Sequence, residues 1–117
     1  MIESKERKAA FLREAIRVIG LQGATVVNER LEHVAQTAGL ANTADFVTVR
    51  AVKADAALFE AAGLLLKEAG HMLLFRPGHD PSPDPAGFAR ESTVQLTDAP
   101  QTFLCIYRRM FHVEQSR

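Results

Sequence analysis

Asp45-Phe46-Val47-Thr48-Val49-Arg50 (DFVTVR) opens the part of the sequence that decides the fold, and it is followed by Ala54–Lys67 (ADAALFEAAGLLLK) and His71–Phe75 (HMLLF). The first and third stretches are short and apolar, as in buried strands, whereas the middle one is rich in Ala and Leu and predicts a helix closed by Gly70. A strand, a helix and a strand in this order form a right-handed βαβ unit with parallel strands. Because DFVTVR is apolar on both faces, we expect helices on both sides of it.

The sequence before this unit predicts a helix, a strand and a second helix. Lys5–Ile19 carries apolar residues at helical spacing, with Ser4 as the N-cap and Gly20 as the stop. Ala24–Asn28 (ATVVN) is short and β-branched, which is typical of a strand. A short helix ending at Gly39 then places four apolar residues on one face: Leu31, Val34, Ala35 and Ala38.

The sequence after the unit predicts a loop and a hairpin. Arg76–Gly87 contains four prolines, which exclude a regular helix. Ser92–Leu96 and Thr102–Tyr107 flank a turn and predict two antiparallel strands, and Arg108–Arg117 is expected to be a frayed tail.

Composition excludes several classes of protein. The chain has 117 residues, enough for one domain, and its 14 basic residues balance its 14 acidic ones, which excludes a polybasic tail. It contains no apolar stretch long enough for a membrane helix or a signal peptide. Its single cysteine, Cys105, lies in an apolar strand as a core thiol, and its four histidines lack zinc-ligand spacing. We therefore expect a cytoplasmic protein without a metal site.

Strands that alternate with helices and end in an antiparallel hairpin have the layout of class I methyltransferases. The fold class expected is α/β, with a mostly parallel Rossmann-like sheet and a C-terminal antiparallel hairpin. One domain is expected over residues 1–108, followed by a flexible tail over 109–117.

Three stretches resemble one family in order and at matching intervals: Glu3–Leu12 (ESKERKAAFL), Asn28–Glu32 (NERLE) and Phe46–Ala51 (FVTVRA). This family is the bacterial 16S ribosomal RNA methyltransferase G proteins, also called glucose-inhibited division protein B, which methylate guanine N7. The similarity runs from residue 1 to about residue 76.

The chain also departs from the family pattern. Family members begin with helices, a first strand and a Gly-rich turn that receives the methionine part of S-adenosylmethionine, but no G-x-G-x-x-G occurs here. Phe75–Gly78 stands where the family has a Lys-Gly pair, and the proline loop replaces a helix. The resemblance therefore implies a partial, C-terminal part of a methyltransferase domain, with the first strand and the Gly-rich loop missing.

The resemblance implies a set of cofactor-binding residues: Glu3, Ser4, Lys5, Leu31, Glu32 and Arg50. An acid after the second strand accepts hydrogen bonds from ribose hydroxyls, which is the role implied for Glu3, with Ser4 and Lys5 along the same edge. Leu31 and Glu32 match the residues that meet the adenine. Arg50 follows an apolar strand, where open α/β sheets bind ligands, and is expected to meet the cofactor and the target base. No catalytic residue is assigned.

Each of these residues also has a purely structural interpretation. Glu3 and Glu32 are acids near helix N-termini, where the dipole stabilises them, and Arg50 is a candidate for a salt bridge at a strand end. The basic residues of the first helix (Lys5, Arg7, Lys8, Arg13 and Arg17) are interleaved with acids, which favours a solvated face over an RNA-binding one.

The implied function is S-adenosylmethionine-dependent methylation of a guanine N7 in 16S rRNA, with the rRNA or the small-subunit particle as partner. Guanine N7 carries a lone pair and no proton, so positioning can replace a general base. The alternative is a non-catalytic α/β remnant or an assembly module without cofactor binding. Loss of a central strand exposes unpaired strand edges, so we also expect self-association. A basic-helix RNA-binding module is a third interpretation.

Overall fold

The computed structural model describes residues 1–37, 39–50, 55–78 and 84–110. Three helices and four strands follow one another along the chain: α1 (Glu6–Ile19), α2 (Leu31–Val34), β1 (Ala44–Val49), α3 (Ala56–Leu65), β2 (Leu66–Pro77), β3 (Phe88–Asp98) and β4 (Gln101–Arg109). The strands form one sheet in the order β1-β2-β4-β3.

The predicted βαβ unit is confirmed. β1 pairs with β2 in parallel, with Val47 opposite Met72 and Val49 opposite Leu74, and α3 makes the crossover. β4 pairs antiparallel with both β2 and β3, so the predicted hairpin is present and longer than expected. The α/β class is therefore correct, but the described sheet is mixed, with one parallel pairing and two antiparallel ones.

The core lies between α3 and one face of the sheet. Leu58 and Ala62 of α3 cluster with buried residues of three strands: Val49, Met72, Leu74, Cys105 and Tyr107. Their burial stabilises the crossover through the hydrophobic effect. The expectation of helices on both sides of β1 is wrong for the described residues, because Phe46 on the opposite face is 64% exposed.

The junction between α3 and β2 differs from the prediction. The helix begins after Asp55, whose carboxylate accepts a hydrogen bond from the Leu58 N–H at 3.0 Å, and it ends at Leu65. Gly70 lies inside β2 rather than closing the helix. A Cβ at Gly70 would lie 2.8 Å from the Lys67 carbonyl oxygen and 3.2 Å from that of Asp45. The local path of β2 from Lys67 to Gly70 therefore requires a glycine here, and the approach of β1 adds a second close contact.

The N-terminal elements are also shorter than predicted. Ala24–Asn28 is not a strand. Within it, Val27 forms an isolated parallel bridge with Ile2, because the described chain offers no longer segment with which it could pair. The second helix spans one turn, Leu31–Val34, and residue 38 lies outside the described residues. Lys5, not Ser4, is the N-cap of α1, while Gly20 ends that helix with a left-handed φ of 75° as predicted.

The boundaries of the proline loop and of the tail also differ from the predicted ones. Arg76 and Pro77 belong to β2, and the buried Arg76 Nη1 donates to the Tyr107 hydroxyl at 2.9 Å. Residues 79–83 lie outside the described residues. Arg109, expected in the tail, ends β4 and is buried, where it donates to Asn42 Oδ1 and to the Leu66 carbonyl. Residues 111–117 are not described.

Replacing Gly70 by Ala should lower the free energy of unfolding by about 1–3 kcal/mol, because the added methyl group presses on two backbone carbonyls. Gly63→Ala is the matched control, since a Cβ there meets no atom closer than 3.9 Å and alanine favours the helix. Urea unfolding measures both. Equal stability of the Gly70→Ala variant and the wild type would contradict the close packing of β1 on β2.

Tyr107 is the single tyrosine of the chain, and its burial raises its pKa above the usual value of 10, with the Arg76 charge opposing the shift. Tyrosinate absorbance should therefore show a midpoint above 10 in the folded protein, which returns to about 10 in urea. The unfolded chain ionises first, so stability falls as the pH rises past 10 and through the folded-state pKa. Tyr107→Phe should weaken that alkaline loss.

Candidate functional site

A cleft of about 670 Å³ separates the N-terminal segments from β1. One wall is formed by Met1–Ser4 with Glu29–Glu32, and the other by β1 residues and Arg50. The first turn of α3 contributes Asp55, Ala57 and Leu58. Five of the six residues expected to bind the cofactor line this cleft: Glu3, Ser4, Leu31, Glu32 and Arg50. Lys5 is not among the lining residues.

Glu3 is held in an extended segment at the edge of the cleft. Its backbone N–H donates to the Val27 carbonyl at 3.0 Å, and its own carbonyl accepts from the Glu29 N–H at 3.1 Å. One carboxylate oxygen, Oε2, accepts from the Lys5 N–H at 3.0 Å and so supports the start of α1. The interpretation of Glu3 as a helix-terminal acid therefore accounts for Oε2 only. The other carboxylate oxygen, Oε1, accepts no hydrogen bond from the described residues.

Asn28 fixes the geometry of this corner. Its Nδ2 donates to the Glu3 carbonyl at 3.0 Å and to the Ser4 carbonyl at 3.2 Å. Sequence reasoning placed Asn28 in a matching motif but gave it no role. Its position directly after the extended residues 24–27 was the available signal, since Asn commonly bonds backbone groups at strand ends.

Leu31 and Glu32 form the start of α2 on the same wall. Leu31 is half-buried and packs against both hydrophobic clusters of the core, which anchors the wall to α3. Glu32 is exposed in the first turn of the helix, where the dipole favours its charge. The two residues thus place an apolar surface and a carboxylate side by side in the cleft.

Arg50 follows the last residue of β1 at the mouth of the cleft. Its guanidinium carbon lies 5.0 Å from the centroid of the Phe75 ring. The salt bridge considered for Arg50 is not found among the described residues. Arg50 is exposed, and no described residue accepts a hydrogen bond from its guanidinium.

Sequence reasoning missed three charged residues that line the cleft: Glu29, Arg30 and Asp55. The Glu29 carboxylate accepts from the His33 ring at 2.9 Å and from the Arg30 N–H at 3.2 Å, and these bonds lower the pKa of Glu29. Glu29 therefore stays ionised at neutral pH. Glu29 was quoted within the NERLE motif without a role, and Asp55 lay inside a stretch that was predicted to be helical.

Among the described residues, the lining carries four carboxylates and two guanidiniums and neither histidine nor cysteine. The charged groups make the cleft net acidic, on a lining that is otherwise mostly apolar and includes Leu31, Val47 and Leu58. Within the described ranges no group of His, Cys, Asp and Glu side chains could hold a metal ion. None of the described helices is long and apolar enough to cross a membrane.

The cleft also runs along an unpaired strand edge. β1 is the first strand of the sheet and pairs with β2 on one side. Its other edge faces the cleft, and across it lies the Ile2–Val27 bridge, which belongs to no named strand. Among the described residues, the backbone groups on that edge of β1 have no ladder partner. The predicted unpaired edge is therefore present.

The family model for rRNA small subunit methyltransferase G matches residues 1–97. Among curated proteins, the ribosomal RNA small subunit methyltransferase G of Rubrobacter xylanophilus is 42% identical over 78 residues, which are 67% of this chain and 30% of that protein. The protein of the same name from Stenotrophomonas maltophilia is 34% identical over 97 residues, 80% of this chain and 44% of that protein. The chain thus spans less than half the length of these relatives.

Solved structures share the fold at low sequence identity. The Escherichia coli protein yhhF superposes with a TM-score of 0.73 at 15% identity, covering 93% of this chain and 62% of that one. An rRNA methylase from Streptococcus thermophilus superposes with a TM-score of 0.67 at 10% identity, covering 94% and 72%. The fold is part of a class I methyltransferase fold. Because the family model matches residues 1–97, which are most of this chain, the chain belongs to the rRNA small subunit methyltransferase G family.

Proposed function

We propose that this chain forms the C-terminal part of an enzyme that uses S-adenosylmethionine to methylate a guanine N7 in 16S rRNA, and that the cleft holds the nucleoside half of the cofactor. The single observation that carries this proposal is the convergence of three separate motifs. Glu3–Ser4, Leu31–Glu32 and Arg50 are distant in sequence and line one cleft. A merely structural set of charged residues has no reason to meet there.

The residues present fit a nucleoside with a cationic centre. Glu3 keeps one carboxylate oxygen without a described partner, which suits a ribose hydroxyl. Leu31 offers a half-buried apolar surface to a base, with Glu32 beside it as an acceptor for an exocyclic amine. The net acidic lining suits a sulfonium and disfavours RNA phosphates. Arg50 is the residue placed to meet a carboxylate or a guanine edge.

The chemistry of the step matches a site without a general base. S-adenosylmethionine supplies an activated methyl group when it is bound, and guanine N7 supplies the electron pair of the new bond. Because N7 carries no proton, no side chain has to remove one. The described part of the lining contains no histidine or cysteine, and its task is to bind and orient the reactants and to exclude water.

RNA and the small-subunit particle are the partners proposed for the whole enzyme, and the cytoplasm is its proposed location. Within this chain α1 is a poor candidate for the RNA contact, because Glu6 and Glu14 are interleaved with its basic residues and Arg17 Nε donates to Glu14 at 2.8 Å. Arg108 and Arg109 of β4 donate hydrogen bonds to Glu91 and to Asn42. The RNA surface is therefore sought next to Arg50.

Glu3→Ala and Arg50→Ala should each weaken the binding of S-adenosylhomocysteine about tenfold or more, because each removes a charged hydrogen-bonding group from the cleft. Isothermal titration calorimetry measures the affinities. Glu68→Ala, at an exposed acid of β2 outside the cleft lining, is the control and should bind as the wild type does. A folded wild type that gives no heat, or variants that bind unchanged, would contradict the proposal.

The second candidate function is a non-catalytic assembly module, which the open edge of β1 favours. Its unpaired backbone groups and the exposed Phe46 form a template for another strand. On this basis the chain self-associates through that edge, whether or not the cleft binds a cofactor.

Light scattering of the purified chain should therefore show a mass that rises with protein concentration. Phe46→Lys should reduce this association, since a charge beside an open edge opposes pairing. Phe11→Lys is the control, because Phe11 is 71% exposed on α1 and lies outside the cleft lining. A strictly monomeric wild type that melts cooperatively would rule out association through β1.

A further inference from the structure

We propose that Phe75 is a positioning residue, which holds the Arg50 guanidinium on its ring so that the N–H donors of Arg50 are presented to an anionic or carbonyl-bearing group at the mouth of the cleft. Which group binds there rests on the proposed function. The contact on which the inference stands is independent of that function: the Arg50 guanidinium carbon lies 5.0 Å from the ring centroid.

The contact follows from the parallel register of β1 and β2. Val49 lies opposite Leu74, so the next residues along the two strands, Arg50 and Phe75, come to the same face of the sheet. Phe75 is itself held in place, because it is half-buried and pairs with Leu104 of β4 on its other side. The ring is therefore a fixed support beside a side chain that would otherwise move freely.

Arg50 shares the lack of a described acidic partner with Arg7, Arg13 and Arg30, but among the described residues only Arg50 of these four lies over an aromatic ring. Three further arginines are paired with acids. Arg17, Arg90 and Arg108 donate to Glu14, Asp84 and Glu91 at 2.8 to 3.0 Å. No described carboxylate or carbonyl accepts from Arg50, although Glu29, Glu32 and Asp55 line the same cleft. A guanidinium that is stacked on a ring keeps all its donors at its edge.

Stacking also lowers the cost of binding. An arginine side chain loses considerable rotamer freedom when a ligand fixes it. The attraction between the guanidinium and the negative face of the ring orders the side chain beforehand, which is how preorganisation raises affinity. Phe75 is not part of the cleft lining, so its effect on a ligand passes through Arg50.

The test compares Phe75→Leu, which removes the aromatic face and keeps an apolar side chain, with Phe75→Tyr, which keeps the ring. Calorimetry with S-adenosylhomocysteine should show binding about two- to fivefold weaker for Phe75→Leu and unchanged for Phe75→Tyr. Phe11→Leu makes the same substitution at an exposed phenylalanine outside the cleft and should bind as the wild type does. If Phe75→Leu binds as tightly as the wild type, the positioning role is wrong and the proposed function still stands.

A second measurement decides the outcome if the folded wild type does not bind S-adenosylhomocysteine, which would contradict the proposed function. In that case NMR follows the Nε–H resonance of Arg50 during titration with inorganic phosphate. The proposal expects a saturable shift in the wild type and in Phe75→Tyr, with about two- to fivefold weaker phosphate affinity in Phe75→Leu. No response, or the same response in all three proteins, would overturn it.

Discussion

The parallel pairing of β1 with β2 is the constraint on which the rest of the structure depends. It is secured from one face by α3, whose Leu58 and Ala62 join the buried cluster, and it requires the close approach at Gly70. The pairing fixes the end of β1, and with it Arg50, beside Phe75. The hairpin of β3 and β4 extends the sheet on the far side and keeps β2 buried. The packing of β1, α3 and β2 therefore fixes the position of the β1 side of the candidate site.

The N-terminal wall of the cleft is built differently. Three backbone hydrogen bonds connect the first three residues to the segment around Val27, and Asn28 bonds the turn before α1. Leu31 connects this wall to the core beneath α3. Arg50 directly follows β1, at the strand end where open α/β sheets place their binding crevices. The gap between the two walls is both the candidate binding site and the open edge of the sheet.

Much of this arrangement could be predicted from the sequence, and the failures have physical causes. β1, α3 and the hairpin have strong local patterns, and Arg50 stood out because a charge directly follows an apolar strand. The segment at Ala24–Asn28 has strand propensity, but a strand needs a partner and the described chain offers Ile2 alone. Lys67–Gly70 looked like a helix end, yet it lies within β2, at the register shift between the Ala44–Leu66 and Phe46–His71 pairs. Burial of Arg76 depends on the Tyr107 hydroxyl, which lies 31 residues away and leaves no local signal.

The central claim is that the two walls bind one ligand between them. The most direct measurement is an NMR titration of the 117-residue chain with S-adenosylhomocysteine, following its backbone amides. The account predicts saturable shifts at Glu3, at Leu31 and Glu32, and at Arg50, all with one affinity. Shifts confined to one wall, shifts on β3 and β4 alone, or none in a folded sample would contradict it.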